Sequence, residues 1–295
     1  MTVEMRVPTA LERMVLETLA YSDVFDYPLT AEEVHRALPH PATLQDVTAS
    51  LEGLGEHVTA AGPYFALAGR AELVATRERR GAASRALVRR ADAYGRVIAA
   101  LPFVRMVGLT GSLAVDNAEA GDDVDYLVVT APGRVWLARA MTMLVVRFAA
   151  LRGLMLCPNY ILAESALVLP QRDLYTAREL LQTRPIAGEA VFDRMLRENA
   201  WCRGLLPNWE VLSSRASPRP AGFIKRIGEK LLGGRLGNAI ERRLLRRKAR
   251  EFAAQAAGNS ETEFDERVCK GHFDGHRARL ESELARRLAG LGLPH

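Results

Sequence analysis

Between Val107 and Thr130 the chain reads VGLTGSLAVDNAEAGDDVDYLVVT, two apolar runs separated by a glycine–serine pair and an acidic segment. No other stretch limits the fold as tightly. The run Val104–Thr110 is predicted to be a short buried strand that stops at the Gly111-Ser112 turn. The run Val124–Thr130 is predicted to be a second buried strand with acids at its head. Side chains alternate along a strand, so Asp123 and Asp125 share a face while Asp122 points away. Two carboxylates on one face repel each other unless a cation lies between them. Mg²⁺ is the expected cation, and a nucleoside triphosphate is the anion it commonly accompanies.

The flanking sequence divides into four parts. Residues 1–69 predict three helices and a hairpin. Leu11, Met14, Val15, Thr18 and Leu19 have helical spacing, Thr30 and Glu33 form a capping box, and a third helix runs from Ala42 to Leu54. Two short strands then flank Ala61-Gly62-Pro63 within His57–Ala68. Three helices followed by a hairpin is the order of a winged helix. The third helix carries Gln45, Asp46 and Glu52 but no Arg or Lys, which argues against phosphate contact through it.

Residues 70–101 predict a long arginine-rich connecting helix. Residues 102–212 hold the two strands, a helix near Leu113–Ala118, a helix over Val135–Leu151 and a third strand at Asn159–Ala163. A second short apolar run, Ala166–Leu169, follows, and helices are predicted over Leu174–Gln182 and Glu189–Leu206. Residues 213–295 predict a basic helical region, with helices over Ile224–Ala257 and Glu263–Leu288 after a Ser- and Pro-rich linker at Ser213–Pro220.

Gly111-Ser112, ten intervening residues and then Asp123-Val124-Asp125-Tyr126 resemble the signature of the nucleotidyltransferase (polymerase-beta-like) superfamily. The resemblance covers Val104 to about Glu164. It implies an α/β (α+β) fold, with a nucleotidyltransferase core on a small mixed sheet beside a winged-helix-like N-terminal domain and a helical C-terminal region. It further implies that Gly111 and Ser112 hold the triphosphate of an NTP substrate and that Asp123 and Asp125 carry two Mg²⁺ ions. In that family a third acid on a later strand completes the site, and Glu164, after Asn159–Ala163, is the candidate here. Phosphoryl charge also calls for cationic side chains, and Arg134 and Arg139 open the helix after the acidic strand. The implied activity moves a nucleoside monophosphate to an acceptor hydroxyl and releases pyrophosphate. RNA, protein and small molecules all stay open as acceptors.

Charge supplies the competing reading. The net charge is +5, and Arg215–Arg250 alone has twelve basic residues against two acids, a local balance of +10. With the winged-helix order, this fits a non-catalytic nucleic-acid-binding regulator with a degenerate nucleotidyltransferase core. Cys157, Cys202 and Cys269 are too far apart for a disulfide framework or zinc motif. His272 and His276 are four apart near Cys269, but Gly271 and Gly275 weaken a helix there. No apolar run reaches the roughly 20 residues that span a bilayer, and the first residues lack an apolar signal core. A cytoplasmic protein with no membrane partner is therefore expected.

Overall fold

The computed structural model describes residues 8–210, 222–255, 263–271 and 276–293. It starts with three helices, α1 (Ala10–Asp23), α2 (Ala31–Ala37) and α3 (Leu44–Gly53). Each begins with a reciprocal capping box, Thr9 with Glu12, Thr30 with Glu33 and Thr43 with Asp46. Such a cap satisfies two backbone groups that a helix start leaves open, a gain of about 1 kcal/mol each. The antiparallel hairpin β1 (Val58–Ala61) and β2 (Tyr64–Leu67) follows, and Phe65 also exchanges backbone hydrogen bonds with Leu29. Val15, Leu16, Leu19, Val34, Leu38, Val47 and Leu51 close a core of their own.

A 27-residue helix, α4 (Leu73–Ala99), links this unit to a six-stranded sheet. Arg77 near its start is buried, stacked on Tyr27 and paired with Glu33 at 2.7 Å. The sheet is built from β3 (Val104–Leu109), β4 (Val124–Thr130), β5 (Leu156–Ala163), β6 (Arg184–Ala187), β7 (Glu263–Phe264) and β8 (Val268–Lys270). Its order is β6-β3-β4-β5-β8-β7, and only β4 and β5 run parallel. The single-turn α5 (Gly111–Ala114) lies between β3 and β4, and α6 (Val135–Ala150) makes the crossover from β4 to β5. The result is a mixed α/β fold on a small mixed sheet.

Strand β4 is interior to the sheet and covered on both faces, which is why its sequence is nearly all apolar. Tyr126 and Val128 face a core shared with α4 and α6. Leu127 and Val129 face the opposite core, closed by α7 (Leu174–Gln182), α8 (Glu189–Glu198) and α9 (Trp201–Leu205). Alternation thus puts Asp125 on the α7 side.

Several expectations are corrected. Sequence spacing predicts one helix over Glu189–Leu206, but it breaks between α8 and α9, where the buried Asn199 side chain holds the Leu167–Leu169 loop. The stretch Ile224–Ala257 divides at Gly233 into α10 (Phe223–Leu232) and α11 (Arg235–Gln255). A helix over Glu263–Leu288 gives way to β7, β8 and α12 (His276–Gly290). The cause is Asp265, whose carboxylate accepts the N–H groups of Arg267 and Val268 and tightens the chain into a hairpin turn. Residues 213–295 are accordingly not one helical region: β8 pairs with β5, and α12 packs on α1, burying Leu288 and Leu293 in the N-terminal core. The expected linker Ser213–Pro220 and His272 lie outside the described residues. No helix among the described residues is long and apolar enough to cross a membrane.

Candidate metal centre

The head of β4 meets the bend after β3. The Thr110 N–H donates to the Asp125 carbonyl at 3.0 Å, and Gly111 then turns with φ +67°. Only glycine takes that conformation without strain. A second reason is steric, because a Cβ on Gly111 would overlap Oδ2 of Asp125. The carboxylate of Asp125 therefore lies against the glycine–serine bend. Ser112 is half-buried beside it. Because α5 is a single turn, anion binding here would rest on the Gly111–Ser112 amides rather than on a helix dipole.

Strand β5 supplies the other wall. In the parallel register Asp125 is opposite Cys157, and the ligand atoms of Asp123, Asp125 and Cys157 all lie within 4.8 Å of one another. The register slips between Asp125 and Leu127, where Pro158 interrupts β5, and Nδ2 of Asn159 donates to Oδ1 of Asp125 at 3.0 Å. Asp123 is exposed, whereas Asp125 is half-buried. Asp122 turns away, its carboxylate accepting the Glu119 N–H.

Electrostatics mark the cluster. Burial first, and the charge of Asp123 second, raise the Asp125 carboxyl to about 7. Burial, followed by the charges of Asp125 and Asp123, pushes the Cys157 thiol up to about 12. Burial also raises Glu179 on α7, while Lys270 opposes the shift. Protons and a divalent cation are alternative ways to relieve this concentration of negative charge. Two carboxylates and a thiol make a mixed donor set for one such cation. Carboxylates suit Mg²⁺ or Mn²⁺, and the sulfur tilts the set towards the softer of these or towards Zn²⁺.

The remaining predicted site residues lie elsewhere. Glu164 follows the far end of β5, and its N–H bonds to Thr130, five residues along β4 from Asp125 and so about 16 Å away. Its carboxylate pairs with Arg194 at 2.9 Å and Arg105 at 3.8 Å. The third-acid assignment is corrected on that ground. Arg134 is buried at the start of α6, donating to the carbonyls of Gly133 and Gly233 over the Phe103 ring. Arg139, one turn on, bonds to Cys269. Both are committed on the α6 side of the sheet, away from Asp125.

Cys157, Asn159 and Glu179 escape sequence reasoning. Pro158 hides the first half of β5, so the predicted strand begins two residues after Cys157. The only usable signal is the Cys-Pro-Asn sequence ahead of an apolar run.

No protein-family model, curated protein or solved structure matches the chain.

Proposed function

We propose that the protein is a metal-dependent nucleotidyltransferase, moving a nucleoside monophosphate from an NTP to an acceptor hydroxyl with release of pyrophosphate. The observation that carries this reading is the contact between Asp125 and the Gly111 bend, which joins the acid pair and the glycine–serine turn in one site. A cation held by Asp123 and Asp125, with Cys157 beside them, would offset charge on the triphosphate. Within the chain, Gly111 and Ser112 would orient the phosphates, and Asn159 would hold Asp125 in its rotamer. The N-terminal helices and hairpin are read as winged-helix-like, with an acidic third helix that serves packing rather than phosphate binding.

The test is incubation of the full chain with each α-labelled NTP, Mg²⁺ or Mn²⁺, and candidate acceptors. Metal-dependent nucleotide binding and a labelled product are expected, and both are lost in Asp123→Ala/Asp125→Ala with the fold retained. Absence of metal-dependent nucleotide binding in the unaltered chain sinks the proposal.

One observation favours a second reading. Arg242, Arg243, Arg246 and Arg247 are exposed on α11, a basic face suited to a polyanion. A nucleic-acid-binding regulator would bind oligonucleotides without NTP, more weakly as salt rises. Salt-independent binding, or none, removes that reading.

A further inference from the structure

Next to the acids, on the α7 side of the sheet, lies a cavity of about 100 Å³. Two of its lining residues tie it to the candidate metal centre. Asn159 holds Asp125, and Thr110 donates its N–H to the Asp125 carbonyl. The Thr110 hydroxyl is buried with no hydrogen-bond partner among the described residues. Glu179 presents a half-buried carboxylate to the cavity, with the Lys270 ammonium on the same lining. Gln171 and Tyr175 add an amide and a phenol. A cavity beside the acid pair that lines an apolar floor with a carboxylate, amides and a phenol has the make-up of a small-molecule site.

Size and charge narrow its chemistry. A dry cavity of roughly 150 Å³ takes benzene, so this one takes an edge of a ring, a few heavy atoms, with the rest in the open mouth. It cannot swallow a nucleobase with its ribose. Among the described residues Lys270 is the one cation lining it, against Glu179 within and Asp123 and Asp125 alongside. A phosphodiester backbone would find there one lysine beside a carboxylate and no row of cations to follow. Carboxylate, amide and hydroxyl groups over a floor of Leu127 and Leu180 instead match neighbouring hydroxyls, each of which donates and accepts.

We propose that this cavity is the acceptor subsite and that the acceptor is a small polyhydroxylated molecule, a sugar or cyclitol, with one hydroxyl turned towards Asp125. The transfer step rests on the nucleotidyltransferase reading above; the binding rests on the cavity alone. In the step, the acceptor oxygen bonds to the α-phosphorus and the bond from that phosphorus to the bridging oxygen breaks. Pyrophosphate leaves with the electron pair, and the hydroxyl proton goes to water.

The experiment titrates the full-length, nucleotide-free protein with D-glucose, D-galactose, ribitol and myo-inositol by calorimetry, and separately with Mn²⁺–ATP. At least one polyol binds, and Glu179→Gln and Gln171→Ala each weaken it about tenfold, the loss of one hydrogen bond to a charged or polar wall. Gln171→Ala keeps its Mn²⁺–ATP affinity, and both variants keep the circular dichroism spectrum of the unaltered protein, which shows that they fold. If none of the four polyols binds the unaltered protein, or if labelled nucleotide passes to an RNA 3′ end instead, the proposal is overturned. Polyol binding without Mn²⁺–ATP binding supports the cavity assignment and removes the nucleotidyltransferase reading.

Discussion

Asp125 and Glu164 stand at opposite ends of the same two strands, and they are treated in opposite ways. Glu164 is matched: Arg194 and Arg105 both reach it, and Arg105 is in turn held by Glu229 at 2.6 Å. Asp125 is crowded by Asp123, neighboured by Glu179 and given one amide donor. A fold that needed a carboxylate only for structure would compensate it as Glu164 is compensated. Asp125 has hydrogen bonds from Asn159 and Cys157 but no cation beside it among the described residues, which costs stability, and such a cost is characteristic of a site that waits for a ligand.

The widest separation between the two ends is expected in turnover. On the proposed function, Asp125→Ala should lower nucleotidyl transfer at least about a thousand-fold, because it would remove a metal ligand and a wall of the phosphate site together. Glu164→Gln leaves the rate within a few-fold, as a radiolabel transfer assay on both variants would show. Equal losses would put Glu164 back in the centre.

Gly111→Ala comes next, with an expected loss of about a hundred-fold. The new Cβ overlaps the Asp125 carboxylate, and the left-handed backbone adds roughly 1–2 kcal/mol of strain. Circular dichroism should report a retained fold, and metal titration a weakened site.

Acidity gives the third contrast. Asp125 keeps its proton up to about 7 in the fold, whereas an unfolded aspartate releases it near 3.8. A cation needs the ionised form, so its affinity should fall by about tenfold per pH unit below 7. Without metal the sign reverses for stability. Between those two values the unfolded chain has already lost the proton that the fold retains, so apo stability declines as pH rises through the window. Asp125→Asn should therefore stabilise the apo protein above pH 7 by about 1–2 kcal/mol, discounted for partial exposure. Denaturant titration at acid and alkaline pH measures it.

The smallest effects concern Cys157 and the matched end. Cys157→Ser should shift the preference from Zn²⁺ or Mn²⁺ towards Mg²⁺ by several-fold, read from competitive metal titration. Glu164→Gln should cost at most about 1 kcal/mol at all pH values above the carboxylate range, since its partners are partly exposed.

How much of this was legible varies with how local the cause is. Strand β4 was, because Val124–Thr130 carries both its apolar run and its acidic head in consecutive residues. Of the N-terminal helices, the first was legible through its apolar spacing and the second through its cap, Thr30 with Glu33, while the like caps at Thr9 and Thr43 went unread. Glu164 was misjudged because sequence gives a strand's direction only relative to its own ends, and the parallel pairing of β4 with β5 sends Glu164 to the far edge. Cys157 went unnoticed for a related reason: its meaning comes from a neighbour 32 residues earlier, across a register that Pro158 disturbs. β7 and β8 read as helix because two- and three-residue strands are too short for any period to register, and Asp265 alone makes their turn.

The docking of α12 has a consequence for how the molecule is assembled. Leu288 and Leu293 fill the N-terminal core, and Arg287 reaches Asp23 at 2.7 Å. The helices made first during synthesis therefore stay unfinished until residues some 260 positions later leave the ribosome. An excised fragment ending after the hairpin would expose an oily gap, whereas a version that splices 276–293 directly onto the hairpin would close it.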